Sequence, residues 1–333
     1  MKKLIVVSIS VLTLAVLGAP AGAAVKMRVS HQLPPAHHVA KVIDRWAAEI
    51  EKASDGEIDV QVFGTSSLVG ARENAMAVIS GNIECAFTVS VQWGKTIPAY
   101  SILSRPYTVA GTSLVKTWPT SAGAKMLEEK LAEKRMRNVV WILQSDKSIY
   151  TSNGKFLQNP SDFKGLKIRG LNPIMDAGID AMGASSIPIS GADVYQALAT
   201  GVIDAADTGL GAAYARKYYE VQDHGTVASI NAVFWNGYVN PGWYDGLSDK
   251  AKEALRVAGL KAADWAYESY LTVEESTPDQ LREAGMQVHI QTPEEQAAWA
   301  AIMQPAFDKV FFKEAGDDGH KILALVKTDA GAN

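Results

Sequence analysis

The chain alternates short predicted strands with short predicted helices in two separate stretches, and this alternation limits its possible folds more than any other feature. In the first stretch the apolar spacing predicts strand, helix, strand, helix and strand over 25–30, 38–53, 57–63, 71–80 and 83–89. In the second stretch strands are predicted over 166–169, 185–189 and 202–207, with helices between them. Such alternation favours a mostly parallel sheet covered by helices. Two stretches of this design predict an α/β protein with two lobes rather than one large sheet.

A third region, residues 248–284, differs because helix signals run through it without a strand. Ser248 is a predicted N-cap, and apolar residues share one side of the helix that follows. Gly259 and Pro278 are expected to bend or interrupt that helix. Since a helix rises about 1.5 Å per residue, an unbroken one would exceed the width of a small lobe. The region is therefore predicted to lie across both lobes.

The N-terminus has the three parts of a secretory signal peptide. Two lysines form a basic start, residues 4–17 form an apolar stretch, and Ala21-Gly22-Ala23 supplies the small residues of a cleavage site. The apolar stretch is shorter than the roughly 20 residues that a membrane span needs. Residues 1–23 are therefore predicted to be cleaved, and the mature chain is expected in the periplasm. No cysteine directly follows the cut, so we expect no membrane anchor on the chain itself.

Composition narrows the possible partners. The 333-residue chain has a formal net charge of −4 at pH 7, and loss of the signal lysines makes it more acidic. A nucleic-acid partner would require a basic face, so none is expected. Cys85 is the only cysteine, which excludes an intramolecular disulfide, and its alternation with Ile83 and Phe87 predicts a small core residue.

Catalytic and metal-binding motifs are mostly absent from the sequence. It contains no HExxH, P-loop, GxSxG or GxGxxG pattern. Ser113 and Lys116 match one β-lactamase motif, but its companion elements are missing. The histidines form no metal pattern, although His31 ends the first predicted strand and could point into a cleft. We therefore expect a protein without enzyme activity, cofactor or metal.

Arg169 ends the predicted strand 166–169, just before the helix that Asn172 and Pro173 open. In α/β proteins ligands bind at the carboxyl ends of strands, in the crevice between units. A helix N-terminus there adds N–H groups and a partial positive charge, which both favour an anion. From the residues alone, Arg169 is either a solvated surface charge or a fixed cation that binds an anion.

The chain resembles the solute-binding proteins of tripartite ATP-independent periplasmic (TRAP) transporters, the DctP-like proteins. The resemblance is carried, in order and spacing, by "DFKGLKIRG", "AMGASSIPIS", "DVYQALATGVIDAAD" and "YYEVQ". It extends over nearly the whole mature chain, from "GARENAMAVISGNIECAF" to "NPGWYDGLSDKAKEAL". It implies a two-lobed periplasmic binding protein fold of α/β class, with hinge strands and a long helix that spans both lobes. It also implies a receptor that captures an organic carboxylate between the lobes and delivers it to a TRAP membrane permease.

The resemblance further implies how the chain is divided and which residue holds the ligand. Lobe I is expected to comprise residues 24–147 and 234–273, and lobe II residues 148–233 and 274–333. Arg169 matches the family's strand-end arginine, so it is expected to be the clamp that pairs with the ligand carboxylate. The expected partners are a small organic acid and the membrane subunits of the permease, and the receptor itself is expected to be a monomer.

The sequence departs from the family around this arginine. Many members have a second arginine about twenty residues upstream, where this chain has Lys147 and Ser148, so a two-arginine site is in doubt and Ser148 is a candidate ligand contact. Asp207 and Thr208 stand where relatives often have an acid and an amide. Thr208 can donate a hydrogen bond to the ligand. Asp207 either orients Arg169 or a water, or is a solvated acid at the strand end.

Three further candidates complete the predicted site. Glu73, in "GARE", matches a position that lines the cleft in relatives. Trp93 and Trp235 are each either core residues or ligand contacts. If both contact the ligand, they suit an apolar or aromatic body. With one arginine for one essential carboxylate, this favours a monocarboxylate of that kind over a C4-dicarboxylate or a sugar acid.

Two other functions stay open at this stage. The chain could serve an ATP-driven importer or a sensor as its binding protein, since that fold is related. It could also be an exported α/β enzyme with Asp207 or Glu73 as general base. The motif order and the long helical region favour the TRAP receptor over both.

Overall fold

The computed structural model describes residues 24–189, 191 and 193–331, so the predicted signal peptide lies outside the described residues. The strands in chain order are β1 (Val25–Ser30), β2 (Ile58–Phe63), β3 (Cys85–Val89), β4 (Arg137–Ser145), β5 (Ser148–Ser152), β6 (Lys167–Gly170), β7 (Ser185–Pro188), β8 (Ala205–Gly209), β9 (His224–Ala228), β10 (Val233–Val239) and β11 (Gln287–Ile290).

The α-helices in chain order are α1 (His38–Ala53), α2 (Asn74–Ile79), α3 (Leu114–Thr117), α4 (Ala122–Glu133), α5 (Pro173–Ala181), α6 (Val194–Ala199), α7 (Leu210–Ala215), α8 (Pro241–Asp245), α9 (Asp249–Glu283) and α10 (Pro293–Asp329). Short 3-10 helices occupy Ser90–Lys95, Pro98–Ser104, Trp118–Thr120, Pro160–Phe163 and Tyr218–Glu220. The predicted elements of the two alternating stretches are present, with ends that differ from the prediction by up to three residues.

The first sheet has the strand order β2-β1-β3-β10-β4. β1 pairs in parallel with β2 and β3, as the alternation of strands and helices predicts. β10 is antiparallel to both of its neighbours, β3 and β4. β10, which comes more than 140 residues after β3 in the chain, therefore lies inside this sheet between β3 and β4. The local sequence around β3 gives no sign of this pairing.

The second sheet has the strand order β11-β9-β5-β8-β6-β7. β6 pairs in parallel with β7 and β8, whereas β5 is antiparallel to β8 and β9. Three connections join the sheets in the part of the chain that the structure describes: Asp146 and Lys147 connect β4 to β5, residues 229–232 connect β9 to β10, and the segment that contains α8 and α9 connects β10 to β11. The first two are short and are called the crossings below. Each sheet has its own hydrophobic core, which gives the molecule its two lobes. The lobe boundaries drawn from the sequence stay a prediction.

Helix α9 is continuous over 35 residues, so the expected interruption at Gly259 or Pro278 does not occur. The Ser248 side chain accepts a hydrogen bond from Ala251 N, as predicted for the cap. The helix packs on α1 and β4 of the first lobe and on α7 and β11 of the second. A Cβ at Gly259 would lie 2.4 Å from the backbone oxygen of Val139. This glycine therefore allows the helix to approach β4 closely.

Helix α10 was not predicted, although it also crosses both lobes. It packs against α5 in the second lobe and against α4 and Pro98–Ser104 in the first. Thr292 and Glu295 form a capping box at its start, a signal that the sequence does carry. Gly316, with φ of +54°, marks a kink inside it.

Two smaller sequence predictions can be compared with the structure. Cys85 is fully buried in the first-lobe core, as its alternation with Ile83 and Phe87 predicts. Among the helices that the structure describes, none has both the length and the apolar character that a bilayer crossing demands.

Candidate ligand-binding site

A cleft of about 1070 Å³ lies between the two sheets. One wall comes from the first lobe, where residues 88–96 comprise the end of β3 and the segment that follows it. The opposite wall comes from the second lobe, where β6 and β8 end at Arg169 and Thr208. Gln144, Ser145, Lys147 and Ser148, at and beside the crossing from β4 to β5, form part of its lining as well. Because parallel strands β6 and β8 end at the same edge of their sheet, the cleft is at the place where α/β proteins bind ligands.

Arg169 occupies the carboxyl end of β6 and is only 8% exposed. Strand alternation explains its direction: Ile168 is fully buried in a second-lobe core, and Lys167 is exposed. The Nε atom donates to Ile189 O at 3.2 Å, and Nη1 donates to Asp207 O at 2.8 Å. These carbonyls hold the guanidinium plane, while Nη2 bonds to no residue in the described ranges.

The charge of this guanidinium is not balanced by a salt bridge within the described residues. Burial lowers the pKa of Arg169 from its ordinary value, although the nearby Asp207 opposes that shift. A buried cation without a paired carboxylate is costly, because it has lost water without gaining a counter-ion. An incoming carboxylate would supply that counter-ion and use the unpaired N–H groups.

Asp207 is buried behind the arginine, so it is not a solvated acid. Its backbone oxygen accepts the bond from Arg169, and its Oδ2 accepts one from the Tyr150 hydroxyl at 3.4 Å. Burial raises the pKa of the Asp207 carboxyl to about 6, against the opposing effect of Arg169. The contact that orients the arginine is therefore made by the Asp207 carbonyl rather than by its carboxylate.

Thr208 and Ser148 also line the cleft, and both already have protein partners. Thr208 Oγ1 accepts a bond from Arg216 Nη1 at 3.4 Å. The Ser148 hydroxyl donates to Asn231 Oδ1 at 2.9 Å. Arg216 thus supplies a second guanidinium beside the end of β8, although the sequence suggested only Arg169.

Cationic side chains outnumber acidic ones along the cleft. Arg72 and Lys95 contribute from the first lobe, Lys147 from the crossing, and Arg169 and Arg216 from the second lobe; the acids are Asp207 and Glu314. Within the described part of the chain, none of these cations forms a salt bridge. The whole chain has a net charge of −4, so the cleft differs in sign from the molecule and favours an anion.

The N-terminus of α5 contributes less to this field than we expected. The side-chain oxygen of its N-cap, Asn172, accepts bonds from Ile174 N and Met175 N. Two of the N–H groups that could have faced an anion are therefore already satisfied. The anion-binding character of the cleft comes from its side chains.

Three predicted site residues lie outside the cleft lining. His31 is buried where β1 ends, and its Nδ1 accepts a bond from Leu33 N at 3.1 Å. Glu73 is exposed just before α2, and its neighbour Arg72 lines the cleft instead. Trp235 is 3% exposed inside the first sheet, where its Nε1 donates to Gln144 Oε1 at 2.7 Å. Its predicted direct contact with the ligand is not supported by this position.

Trp93 does line the cleft, but its ring belongs mainly to the core. It is 4% exposed and packs against Tyr100 and Tyr238. Only an edge of the indole can therefore reach a ligand in this arrangement. The aromatic surface available in the cleft is much smaller than two exposed tryptophans would have provided.

The cleft residues that the sequence interpretation missed include Arg72, Gln144, Arg216 and Asn231. Arg72 is adjacent to the predicted Glu73, and the later start of α2 at Asn74 decides which of them faces the cleft. Gln144 lies just before the crossing 146–147 and Asn231 lies within the crossing 229–232, and no local pattern identifies either position. Arg216 has no motif that could have found it. Among residues 24–189, 191 and 193–331 no cluster of His, Cys, Asp and Glu could hold a metal ion.

Comparison with known proteins gives a consistent result. Residues 29–314 match the model of the DctP family, bacterial extracellular solute-binding protein, family 7. The C4-dicarboxylate-binding periplasmic protein DctP of Rhodobacter capsulatus is 27% identical over 90% of this chain and 90% of its own.

Two solved structures of TRAP periplasmic solute-binding proteins share the fold. The protein from Ochrobactrum anthropi, whose C-terminus is bound in its ligand-binding pocket, superimposes with a TM-score of 0.86 at 21% identity, over 93% of this chain and 97% of its own. The protein from Desulfovibrio salexigens, with bound orotic acid, has a TM-score of 0.81 at 21% identity, over 92% and 98%.

Proposed function

This chain belongs to the DctP family of bacterial extracellular solute-binding proteins, and on that premise we propose that it captures a small organic carboxylate in the periplasm for a TRAP permease. Members of the family are transport receptors that work with a membrane permease. The finer parts of the proposal are the class of carboxylate, the periplasmic location that follows from cleavage of residues 1–23, a monomeric state and the lack of catalysis.

The observation that carries the proposal is the arrangement around Arg169. Its guanidinium is buried, fixed by two backbone carbonyls, and free of salt bridges among the described residues. Fixed planar donors suit a carboxylate, which can accept two parallel N–H bonds. Its position at a strand end in the inter-lobe cleft supports the role of ligand clamp.

The cleft supports a carboxylate with a second anionic or oxygen-rich part over the monocarboxylate that the sequence favoured. That preference rested on one arginine and two tryptophans. Arg216 adds a guanidinium near Arg169, and Arg72 adds another from the opposite lobe. Trp235 is outside the lining, and Trp93 presents little surface. A C4-dicarboxylate or a sugar acid therefore fits the charges better than an apolar or aromatic body.

Catalysis by the residues once considered for it has little support. Glu73 is exposed and does not line the cleft, which gives no support to a role as general base. Asp207 is buried, and its backbone oxygen holds the arginine. The Asp207 carboxyl is hydrogen-bonded to Tyr150, and Glu73 does not line the cleft, which supports a receptor that releases its ligand unchanged.

A thermal-shift screen followed by calorimetry tests this proposal. The panel comprises succinate, malate, D-glucuronate and orotate, with butyrate and phenylacetate as monocarboxylates that lack a second polar group. A ligand at a hundred times its dissociation constant stabilises the fold by about 2.7 kcal/mol. At roughly 2–4 °C per kcal/mol, the melting temperature should rise by several degrees.

The panel separates the alternatives. We expect succinate, malate or D-glucuronate to raise the melting temperature and to be recovered unaltered. Tighter binding of butyrate or phenylacetate would restore the apolar monocarboxylate as the ligand class. No shift with any carboxylate would contradict the receptor proposal itself.

A further inference from the structure

Trp235 and Gln144 form a hydrogen bond that connects the first-lobe core to the cleft. Trp235 is on β10, paired with Ile142 of β4, and Gln144 is two residues further along β4. The indole Nε1 donates to Gln144 Oε1 at 2.7 Å. Gln144 lines the cleft whereas Trp235 does not. The tryptophan therefore acts on the cleft only through the amide of Gln144.

This bond determines which end of the amide is available. An indole nitrogen is a donor and never an acceptor, so the Gln144 atom that it contacts must be the carbonyl oxygen. The Gln144 NH₂ group is then the end that remains free. Within the described residues Nε2 has no hydrogen-bond partner, and the side chain is only partly buried. Gln144 consequently offers the cleft donors of fixed orientation.

Asn231 repeats the arrangement at the other crossing. Its Oδ1 accepts the hydroxyl of Ser148 at 2.9 Å, and its NH₂ group has no hydrogen-bond partner among the described residues. Asn231 precedes β10, and Gln144 is near the end of β4, which pairs with β10. The two amides therefore lie near neighbouring crossings, each with its oxygen occupied by a protein donor.

We infer that Gln144 and Asn231 are specificity-determining residues that bind an acceptor oxygen of the ligand, and that Trp235 is the positioning residue for Gln144. The inference rests on the proposed function, since it concerns the part of the ligand beyond the carboxylate on Arg169. The group selected is a second carboxylate, a carbonyl or a hydroxyl that accepts through its oxygen. Ligands that lack such an oxygen would leave oriented amide donors unpaired when the cleft closes, which lowers their affinity.

The test compares acceptor-bearing and acceptor-free probes on defined variants by calorimetry. Succinate and butyrate are one matched pair, because both have four carbons and differ in the second carboxylate; malate and D-glucuronate extend the set. Gln144→Leu removes the donors, and we expect about tenfold weaker binding of succinate or more, with little change for butyrate. Gln144→Glu keeps the bond from Trp235 but places a carboxylate oxygen in the cleft, so succinate should bind weaker still.

Trp235→Phe keeps an aromatic ring and removes only the donor with part of the ring. We expect it to lower the succinate-to-butyrate affinity ratio, and to add little to the effect of Gln144→Leu in the double variant. Trp141→Phe is the matched control, since Trp141 is equally buried in the same sheet and donates to Glu128 at 2.8 Å outside the cleft. It should leave the ratio unchanged. If Trp235→Phe fails to fold, the Gln144 variants still decide whether the Gln144 donors set the specificity.

The outcomes separate the two proposals. Unchanged ratios in the Gln144 variants, with binding still lost in Arg169→Ala, would overturn this inference and leave the receptor proposal standing. Wild-type protein that binds none of the carboxylates would overturn both. If Trp141→Phe changed the succinate-to-butyrate affinity ratio as much as Trp235→Phe does, the change would reflect general packing of the sheet. That result would overturn the positioning role of Trp235.

Discussion

At the residue scale, Arg169 is a buried cation whose hydrogen-bond partners among the described residues are carbonyl groups rather than carboxylates. Two backbone carbonyls fix the guanidinium, but a carbonyl carries only a partial negative charge. The carboxyl of Asp207 is close enough to interact electrostatically and yet bonds to Tyr150 instead. The strongest bonds that this arginine can form are therefore left for a carboxylate from outside.

Substitution of Arg169 tests this arrangement. In Arg169→Ala we expect an affinity loss of a hundredfold or more for the tightest carboxylate probe, because truncating one partner of a buried ion pair costs about 3–5 kcal/mol. Arg169→Lys should also bind poorly, since an ammonium cannot reproduce the planar pair of donors. Calorimetry measures both.

Lys167→Ala is the matched control for these variants. Lys167 is on the same strand, two residues earlier, and is exposed outside the cleft. Its substitution should leave affinity unchanged. Near-wild-type affinity in Arg169→Ala would remove this arginine from the binding site.

At the scale of elements, helix α9 is bonded to the crossing between β4 and β5. The Tyr270 hydroxyl donates to Asp146 Oδ1, and the Ser145 hydroxyl donates to Glu274 Oε1 at 2.6 Å. The second oxygen of Asp146 accepts Gly111 N at 2.8 Å. These hydrogen bonds connect the crossing to α9, and α9 packs on both lobes. The cluster therefore couples the crossing to both lobes.

Glu274 in this cluster gives a pH-dependent stability. It is buried, and burial raises the pKa of its carboxyl from 4.5 to about 7, while the bond from Ser145 opposes the rise. At a pH between these two pKa values, Glu274 binds more protons in the folded state than in the unfolded state. The free energy of unfolding therefore falls as the pH rises through this window.

Glu274→Gln removes the free-energy cost of ionising a buried carboxyl group. Its amide oxygen can still accept the hydrogen bond from the Ser145 hydroxyl. We expect the variant to be more stable than wild type at pH 8 by up to a few kcal/mol, since each pKa unit corresponds to about 1.4 kcal/mol. Near pH 4.5 the difference should largely disappear. Melting temperatures measured from pH 4.5 to 8.5 provide the comparison, with the exposed neighbour substitution Glu275→Gln as control. Parallel wild-type and Glu274→Gln curves across that range would exclude a contribution from Glu274.

At the scale of the whole molecule, the distribution of charged groups predicts closure on the ligand. Arg169 and Arg216 belong to the second lobe, whereas Arg72 and Lys95 reach the cleft from the first. A ligand bound by both sets has to be covered from both sides. Exclusion of water then strengthens every ion pair in the cleft.

Small-angle scattering tests this closure. With the tightest carboxylate of the panel at saturation, we expect the radius of gyration to decrease. Arg169→Ala, which should not bind, is the control and should scatter identically with and without the ligand. A wild-type profile that does not change at saturation would argue against hinge motion.

Much of the fold follows from local sequence patterns. β1, α1 and the cap of α9 are where apolar spacing and the cap residues predict them, because contacts within a few residues determine these elements. Parallel pairing then places the end of β6 beside that of β8, and so the position of Arg169 at the cleft was predictable as well. The long helix α10 was missed although its capping box is readable.

What the sequence by itself determined is therefore the two-lobed α/β design, the burial of Cys85 and the place of Arg169 at the cleft. Only the tertiary structure decided which other side chains line the cleft. The bond between Trp235 and Gln144 joins residues 91 positions apart, and it exists because β10 inserts beside β4 in one register. Arg72 rather than Glu73 lines the cleft because of where α2 begins. Long-range strand pairing and the exact start of a short helix depend on packing of the whole chain, which local patterns do not encode.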